Sequence, residues 1–360
     1  MSLRTIPHPG GFDSILSTRE RFETNRNEGS LALPFAPISE ALAETPDAPA
    51  WAWEGYLGPG VLTVLAGRPK VGKSTLFFGL LESLATGDPL LGLPVRRGGA
   101  LLLSEERQAS LNDKLQHFPH AARKTHLLMR YQARGVDWPT VVELAAAHCL
   151  SHGLSVMAID TADKWFSLDS DGENSSGKII EAISPLMWAA AQGLAVLIVA
   201  HQRKSDGSHG DAIRGSNALA GAVDVIMEVE RIRGNGDRTA RILRASSRFS
   251  GTPDELVFSL TPDGYEARGS YSNYSAEELE QRVLGVVTPT GVVAHDVSEV
   301  CDISATKAYK VLTRLAERGA VSREGAGTKG SPFRFFPPGA YGNETNTTPL
   351  RLIPEEEGAA

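Results

Sequence analysis

The sequence contains little cysteine. Its 360 residues include only two cysteines, Cys149 and Cys301, which lie far apart and each within an apolar pattern. We therefore expect no disulfide bond and two reduced core thiols, as in a cytoplasmic protein. Structural zinc sites usually draw on several cysteines, so the same scarcity leads us to expect no zinc site.

Long apolar runs and an excess of basic charge are also missing. No apolar run reaches the roughly 18 residues that a membrane-spanning helix needs. The first residues, MSLRTIPHPGGFDS, contain no apolar h-region, so we expect no signal peptide. The formal net charge of −7 argues against a protein that coats nucleic acid through bulk charge, although local basic strips remain compatible with it.

One nucleotide-binding motif is present in full. Residues 67–74, GRPKVGKS, match the pattern G-x-x-x-x-G-K-[ST], with an apolar run before them and apolar residues at helical spacing after them. A strand, a glycine loop and a helix form the context that this motif requires. We therefore predict that a nucleoside triphosphate binds at Gly67, Arg68, Pro69, Lys70, Val71, Gly72, Lys73 and Ser74.

The residue types of this loop suit phosphate chemistry. Gly67 and Gly72 allow the backbone to turn its N–H groups towards phosphate oxygens, and the following helix N-terminus adds a positive dipole. Lys73 is placed to reach the β- and γ-phosphates, and the Ser74 hydroxyl to hold Mg²⁺. The sequence therefore predicts ATP and Mg²⁺ as ligands.

Further polar residues follow apolar segments that we predict to be strands. These segments alternate with helical patterns, which is typical of an α/β fold with a mainly parallel sheet. Ligands of such sheets collect at the carboxyl ends of the strands, where we place Glu105, Asp160 and Gln202 beside the glycine loop. This convergence indicates one catalytic cluster.

Each member of the cluster has a candidate role and a structural alternative. Asp160 is the type of acid that holds Mg²⁺ together with Ser74, or it merely ends a strand. Either Glu105 or Glu106 is suitably spaced to orient the attacking water, unless both form a solvated charge pair. His201 or Gln202 is placed to sense the γ-phosphate, unless His201 is only a hydrogen-bonded core imidazole.

A positively charged residue stands where a helix of small residues is predicted to begin. Arg214 precedes the segment GSNALAGAVD. A cation is unfavourable at a helix N-terminus, which favours an anionic partner there. Arg214 is therefore a candidate finger to a phosphate, in its own subunit or in a neighbour, and otherwise a surface arginine.

These motifs carry a family resemblance over about residues 51–260. The core resembles RecA-like ATPases, and within them the RepA-type hexameric replicative helicases and related helicase-like ATPases. The matching segments are GRPKVGKST, LLLSEE, VMAIDT, DGENSS, VAHQRKS and AIRGSNALAGAVD. RepA-type helicases carry two histidines at the sensing motif, whereas here His201 is followed by Gln202.

The resemblance implies a role for individual residues of this chain. Thr75 joins Lys73 and Ser74 in the nucleotide loop. Glu105, rather than Glu106, takes the place of the catalytic glutamate, and Asp160 that of the Mg²⁺-binding acid. The remaining positions are His201 and Gln202 in the γ-phosphate sensor and Arg214 as an arginine finger supplied across a subunit interface.

The C-terminal part predicts a second, smaller domain. Three helical patterns and a hairpin, with Ser275 as the first helix cap, resemble a winged helix-turn-helix domain. Its third helix would present Ser304, Thr306, Lys307, Lys310 and Arg314, and its wing Arg323, Lys329 and Arg334. The predicted organisation is an N-terminal arm (1–50), an ATPase domain (51–262), a linker (263–274), the winged helix (275–338) and a disordered tail (339–360).

The sequence as a whole predicts an ATP-hydrolysing motor that acts on DNA, of the RepA-like replicative helicase type. We expect single-stranded DNA at the core, duplex DNA or a protein at the winged helix, and a homo-oligomer, with a ring hexamer favoured. Two alternatives remain open, namely a non-translocating DNA-binding regulator switched by ATP and a RecA-type recombination mediator.

Overall fold

A computed structural model of the chain describes residues 35–43, 45–46, 48–166, 176–201, 217–232, 237–261 and 264–339. The chain divides into two compact units between Gly269 and Ser270. Of the predicted N-terminal arm, the structure describes only the part from residue 35, where α1 (Ile38–Ala41) is a single exposed turn. Nearly all of the predicted tail lies outside the described residues.

The first unit is built on a nine-stranded sheet with the strand order β3-β2-β4-β5-β1-β6-β7-β8-β9. Five strand pairs are parallel, and the last three, from β6 to β9, are antiparallel. This architecture confirms the predicted mainly parallel α/β fold. The strands are β1 (Leu62–Gly67), β2 (Gly99–Ser104), β3 (Thr125–Met129), β4 (Leu154–Asp160), β5 (Ala195–His201), β6 (Val225–Arg231), β7 (Ala240–Ser247), β8 (Glu255–Thr261) and β9 (Gly264–Gly269).

Helices cover both faces of this sheet, which explains why its parallel strands are apolar almost throughout. Along β1, Leu62 and Val64 pack into one buried cluster and Leu65 into the other, as the two-residue period of a strand requires. The helices are α2 (Lys73–Thr86), α3 (Gln108–Leu115), α4 (Pro119–Lys124), α5 (Trp138–His152), α6 (Ala162–Trp165), α7 (Ser176–Ala191) and α8 (Asn217–Ala222), with a 3₁₀ turn at Arg130–Ala133.

The parallel register brings the ends of four strands to one edge. Ser104 at the end of β2 lies opposite Asp160 at the end of β4, and Gly67 at the end of β1 lies opposite His201 at the end of β5. The strand order places β1 between β5 and β6. The polar residues that follow these strands therefore share the edge at which the glycine loop begins.

The second unit contains three helices followed by a hairpin, in the order that the sequence predicts. These elements are α9 (Tyr271–Val286), α10 (Ala294–Cys301), α11 (Ala305–Glu317), β10 (Ser322–Glu324) and β11 (Arg334–Phe336). They enclose their own apolar core, in which Val283, Leu312 and Phe335 are fully buried.

The predicted linker at residues 263–274 is wrong. Residues 264–269 form β9, which pairs antiparallel with β8, and α9 already begins at Tyr271. The side chain of Ser270, not of Ser275, caps this helix by accepting a hydrogen bond from the Asn273 N–H. Composition misled the sequence prediction because β9, GYEARG, is a polar edge strand whose backbone pairing does not depend on apolar side chains.

Two smaller findings concern the whole described chain. Cys149 and Cys301 are both unpaired and buried, as predicted, and burial raises the pKa of the Cys149 thiol to about 12. Within the described ranges, no helix combines the length and the apolar character needed to cross a bilayer.

A buried carboxylate organises the second unit. Glu280 on α9 is only 8% exposed, and its two oxygens accept hydrogen bonds from Arg314 on α11 (3.1 Å) and from Arg318, the residue that caps the end of α11 (3.0 Å). Arg314, which the sequence analysis assigned to the outward face, is thus engaged within the unit, although its side chain remains about half exposed. The two charge-assisted bonds tie α11 to α9.

We predict that Glu280→Ala loosens this unit. Loss of two hydrogen bonds to charged groups should lower its free energy of unfolding by about 1–3 kcal/mol. Hydrogen exchange of peptides from α9 and α11 measures the effect. Glu277→Ala, at an exposed position of the same helix, should leave exchange unchanged, and equal protection in both variants would contradict a stabilising role for Glu280.

Candidate active site

The glycine loop joins β1 to α2 through two positions that require glycine. A Cβ atom on Gly67 would lie 2.7 Å from the backbone oxygen of Val229, so only a hydrogen atom fits there. Gly72 caps α2 with a φ of 111°, in the left-handed region that disfavours other residues. The loop therefore takes its path through one close approach and one special backbone conformation.

Cationic side chains hold the carbonyl oxygens of this loop. Lys73 Nζ donates to the oxygens of Gly67 (2.6 Å) and Arg68 (3.2 Å). On the other side, Arg231 Nη2 donates to the oxygen of Lys70 at 2.9 Å. Arg241 Nε donates to the oxygen of Val71 at 2.7 Å. Four loop carbonyls are thus fixed, and the helix that follows has N–H groups in its first turn without intrahelical acceptors, which is the arrangement that binds phosphate.

A tyrosine from β9 supports the same helix. The hydroxyl groups of Tyr265 and Thr75 share a hydrogen bond, and burial raises the pKa of Tyr265 well above its ordinary value. The Tyr265 ring also lies against Gly79 on α2, where a Cβ atom would be 3.3 Å from it. The strand that the sequence analysis took for a linker therefore contributes to the nucleotide loop.

Asp160 lies in the acidic part of the site and is 5% exposed. Burial raises its pKa to about 6, the carboxylates of Glu106 and Glu105 act in the same direction, and Lys114 and Lys73 oppose them. Several negative groups therefore lie close to the lysine of the glycine loop. A carboxylate in this environment is stabilised when a cation binds beside it.

Glu105 and Glu106 occupy different environments. Thr161, which follows Asp160 across a cis peptide bond, donates from Oγ1 to Glu105 Oε1 at 3.0 Å, and the Glu105 residue is exposed. Glu106 forms an ion pair through Oε1 with Lys114, while its Oε2 is buried without a hydrogen-bond partner in the described part of the chain. Glu105 is therefore accessible and oriented by Thr161, whereas Glu106 is held in an ion pair with Lys114.

His201 lies next to the lysine. Its Nδ1 is 3.4 Å from Lys73 Nζ, and because an ammonium only donates, His201 accepts at this nitrogen. The other sensor candidate, Gln202, and the arginine finger candidate, Arg214, lie outside the described residues. The structure thus brings together the glycine loop, Glu105, Asp160 and His201, and the sequence analysis did not identify Arg231, Arg241, Thr161 or Tyr265.

The residues present fit Mg²⁺. Ser74 and Asp160 supply the oxygen ligands that this ion prefers, and the buried Asp160 carboxylate, whose pKa is raised to about 6, would be stabilised by a divalent cation bound beside it. Bound there with a nucleotide, Mg²⁺ would neutralise charge on the β- and γ-phosphates.

A glycine-loop strand at the centre of a mainly parallel sheet, with acids at the same edge, defines a RecA-like P-loop core. Comparison with known families gives a match of residues 28–207 to the family described as AAA domain. The chain belongs to this AAA domain family.

Individual relatives are more distant. The DNA repair protein RadA of Mycolicibacterium smegmatis is 28% identical over 243 residues, which cover 64% of this chain and 45% of that protein. RadA of Pseudomonas aeruginosa is 25% identical over 237 residues, covering 65% and 46%. The chain thus spans less than half the length of these relatives. A crystal structure of the RadB recombinase matches with a TM-score of 0.42 and 16% identity, over 58% of this chain and 91% of that one.

We predict that Gly67→Ala weakens nucleotide binding. The added methyl group must displace the loop from the Val229 oxygen, and overpacking of this kind costs about 1–3 kcal/mol, so affinity for a fluorescent ATP analogue should fall about tenfold or more. Gly285→Ala is the matched control, because its Cβ would meet nothing within 4 Å. Unchanged affinity in Gly67→Ala would contradict the assignment of the loop.

Proposed function

We propose that this protein binds ATP with Mg²⁺ and hydrolyses it, and that it uses the cycle to act on DNA. The observation that carries the proposal is the glycine loop itself. Its carbonyl oxygens are bound by Lys73, Arg231 and Arg241 at the edge of the sheet where Asp160 and Glu105 lie. A site of this kind is organised for phosphate on one side and for water activation on the other.

In the proposed reaction, each residue performs one task. Lys73 exchanges the carbonyl groups of the loop for β- and γ-phosphate oxygens and stabilises the developing charge. Ser74 and Asp160 hold Mg²⁺. Glu105, oriented by Thr161, polarises the attacking water.

The remaining predicted residues sense and complete the site. His201, within reach of Lys73, detects loss of the γ-phosphate together with Gln202. Arg214 acts as an arginine finger from a neighbouring subunit, which makes the protein a homo-oligomer, as the predicted ring hexamer or as a filament. The described residues support the part assigned to His201, while Gln202 and Arg214 are assigned from the sequence.

The relatives bear on the choice between DNA-acting functions. Those reported above are named DNA repair proteins, which favours the recombination or repair alternative over a RepA-type replicative helicase. We therefore propose a cytoplasmic RecA-like ATPase that works on single-stranded DNA in repair or recombination, and keep strand unwinding as the second candidate because of the RepA-type motifs.

We further propose that the second unit is a winged helix-turn-helix domain that contacts duplex DNA or a protein. Thr306, Lys307 and Lys310 are exposed on α11, and Arg323 lies over the ring of Phe333 at 4.6 Å. An exposed basic helix face beside a hairpin suits phosphate contacts. The double variant Lys307→Ala, Lys310→Ala changes only the second unit, so it tests the contacts of this unit separately from the ATPase core.

We predict that Glu105→Gln reduces turnover about a hundredfold or more and leaves ATP binding intact, since loss of a general base typically costs that much. Steady-state ATPase assays and binding of a fluorescent ATP analogue measure the two effects. Glu106→Gln is the matched comparison and should retain most of the turnover, because its partner is Lys114. The reverse result would assign water activation to Glu106.

The proposed function as a whole predicts an ATPase rate that increases with single-stranded DNA and with protein concentration. DNA should stimulate a DNA-acting ATPase, and a finger supplied by a neighbour makes turnover depend on assembly. A rate that responds to neither would refute the motor and favour an ATP-switched regulator. Strand-unwinding assays then separate a helicase from a recombination mediator.

A further inference from the structure

Three histidines meet on the side of the core away from the glycine loop. His126 lies near the start of β3, and His148 and His152 lie in the last two turns of α5. Each offers a nitrogen atom, and these three atoms lie within 4.8 Å of one another. We call these residues the histidine cluster.

The hydrogen bonds of the cluster prepare its nitrogens as ligands. His126 Nδ1 and His148 Nε2 are 2.8 Å apart, so one of them accepts and carries a lone pair. His152 Nδ1 donates to the backbone oxygen of His148 at 2.9 Å, which leaves His152 Nε2 as the lone-pair nitrogen of a neutral ring. A hydrogen bond from the second ring nitrogen to a carbonyl group is the usual support of a metal-binding histidine.

The distances suit a small ion. A tetrahedral zinc site with Zn–N bonds of about 2.0–2.1 Å needs nitrogen atoms about 3.3 Å apart. The observed separations, from 2.8 Å up to 4.8 Å, span this value. The exposed ring of His152 stacks on the ring of His148 with 4.0 Å between their centres, so only small side-chain adjustments would be needed to bring the three nitrogens to one centre.

The position of the cluster at the end of a helix also favours a cation. His152 is the last residue of α5, where the negative end of the helix dipole attracts a cation.

We propose that the histidine cluster binds one divalent transition metal ion that prefers imidazole, with Zn²⁺ as the representative ion. His126, His148 and His152 supply three ligands, and water completes the coordination. The ion would join the edge strand β3 to the end of α5. The sequence analysis expected no zinc site because it considered cysteine alone; the segment HCLSH, with two histidines four residues apart on a helix, was the available signal.

Zinc titration of the untagged, chelator-treated full chain, without nucleotide or Mg²⁺, tests the proposal. Calorimetry should give one equivalent of bound Zn²⁺. His126→Gln and His152→Gln should each weaken binding at least about tenfold, because loss of even an outer-shell partner costs that much. His117→Gln, at an exposed histidine outside the cluster, is the matched control and should bind as the wild type does.

Two further measurements keep the result independent of folding and of the ATP site. Zn²⁺ should raise the Tm of the wild type and of His117→Gln but not of the cluster variants, whose far-ultraviolet circular dichroism should be unchanged. Asp160→Asn should retain zinc binding. Equal zinc affinity of the wild type and His126→Gln would overturn the proposal. Loss of zinc binding in Asp160→Asn alone would also overturn it.

Discussion

The site depends on where the carbonyl groups of the glycine loop point. A loop binds phosphate through its N–H groups only if its oxygens are directed elsewhere, and here cations hold them from two sides. Arg231 and Arg241, which hold the oxygens of Lys70 and Val71, lie opposite each other in the β6–β7 register. Burial and the neighbouring Arg231 lower the pKa of Arg241, while Tyr265 and Asp237 oppose this effect. The antiparallel strands thus belong to the nucleotide site and do not merely extend the sheet.

The parallel half of the sheet supplies the acids, and their neighbours divide the roles. Glu105 and Glu106 are consecutive, so sequence spacing alone cannot distinguish them. Their partners do, because Thr161 orients the accessible Glu105 whereas Lys114 engages Glu106. Both carboxylates act on Asp160, whose burial already disfavours its charge. The arrangement concentrates negative charge beside Lys73, which is the condition for binding Mg²⁺ between protein and triphosphate.

Local and periodic signals carried most of what the sequence predicted. The glycine loop, the apolar strands around it and the acid at the end of β4 are each encoded in a few consecutive residues, and parallel pairing then brings them together. The polar β9 was missed because an edge strand needs no apolar run. Arg231, Arg241 and Tyr265 reach the loop from more than 150 positions along the chain, and the histidine cluster joins two elements. Contacts between residues so far apart depend on which strands pair and in which register, and the sequence pattern did not determine either.

The two sides of the glycine loop have different partners, so in the proposed function they would respond differently to a bound triphosphate. Phosphate oxygens would compete with the carbonyls of Gly67 and Arg68 for the ammonium of Lys73, a residue that is 5% exposed. An accepting nitrogen of His201 lies 3.4 Å from this ammonium. The carbonyls of Lys70 and Val71 would retain their hydrogen bonds to arginine side chains, because those side chains approach from β6 and β7. In the proposed function, nucleotide exchange would alter the hydrogen bonds at the start of the loop and leave its second half fixed. Since His201 is paired with Gly67 across β1 and β5, the half that would change is also the half that β5 contacts.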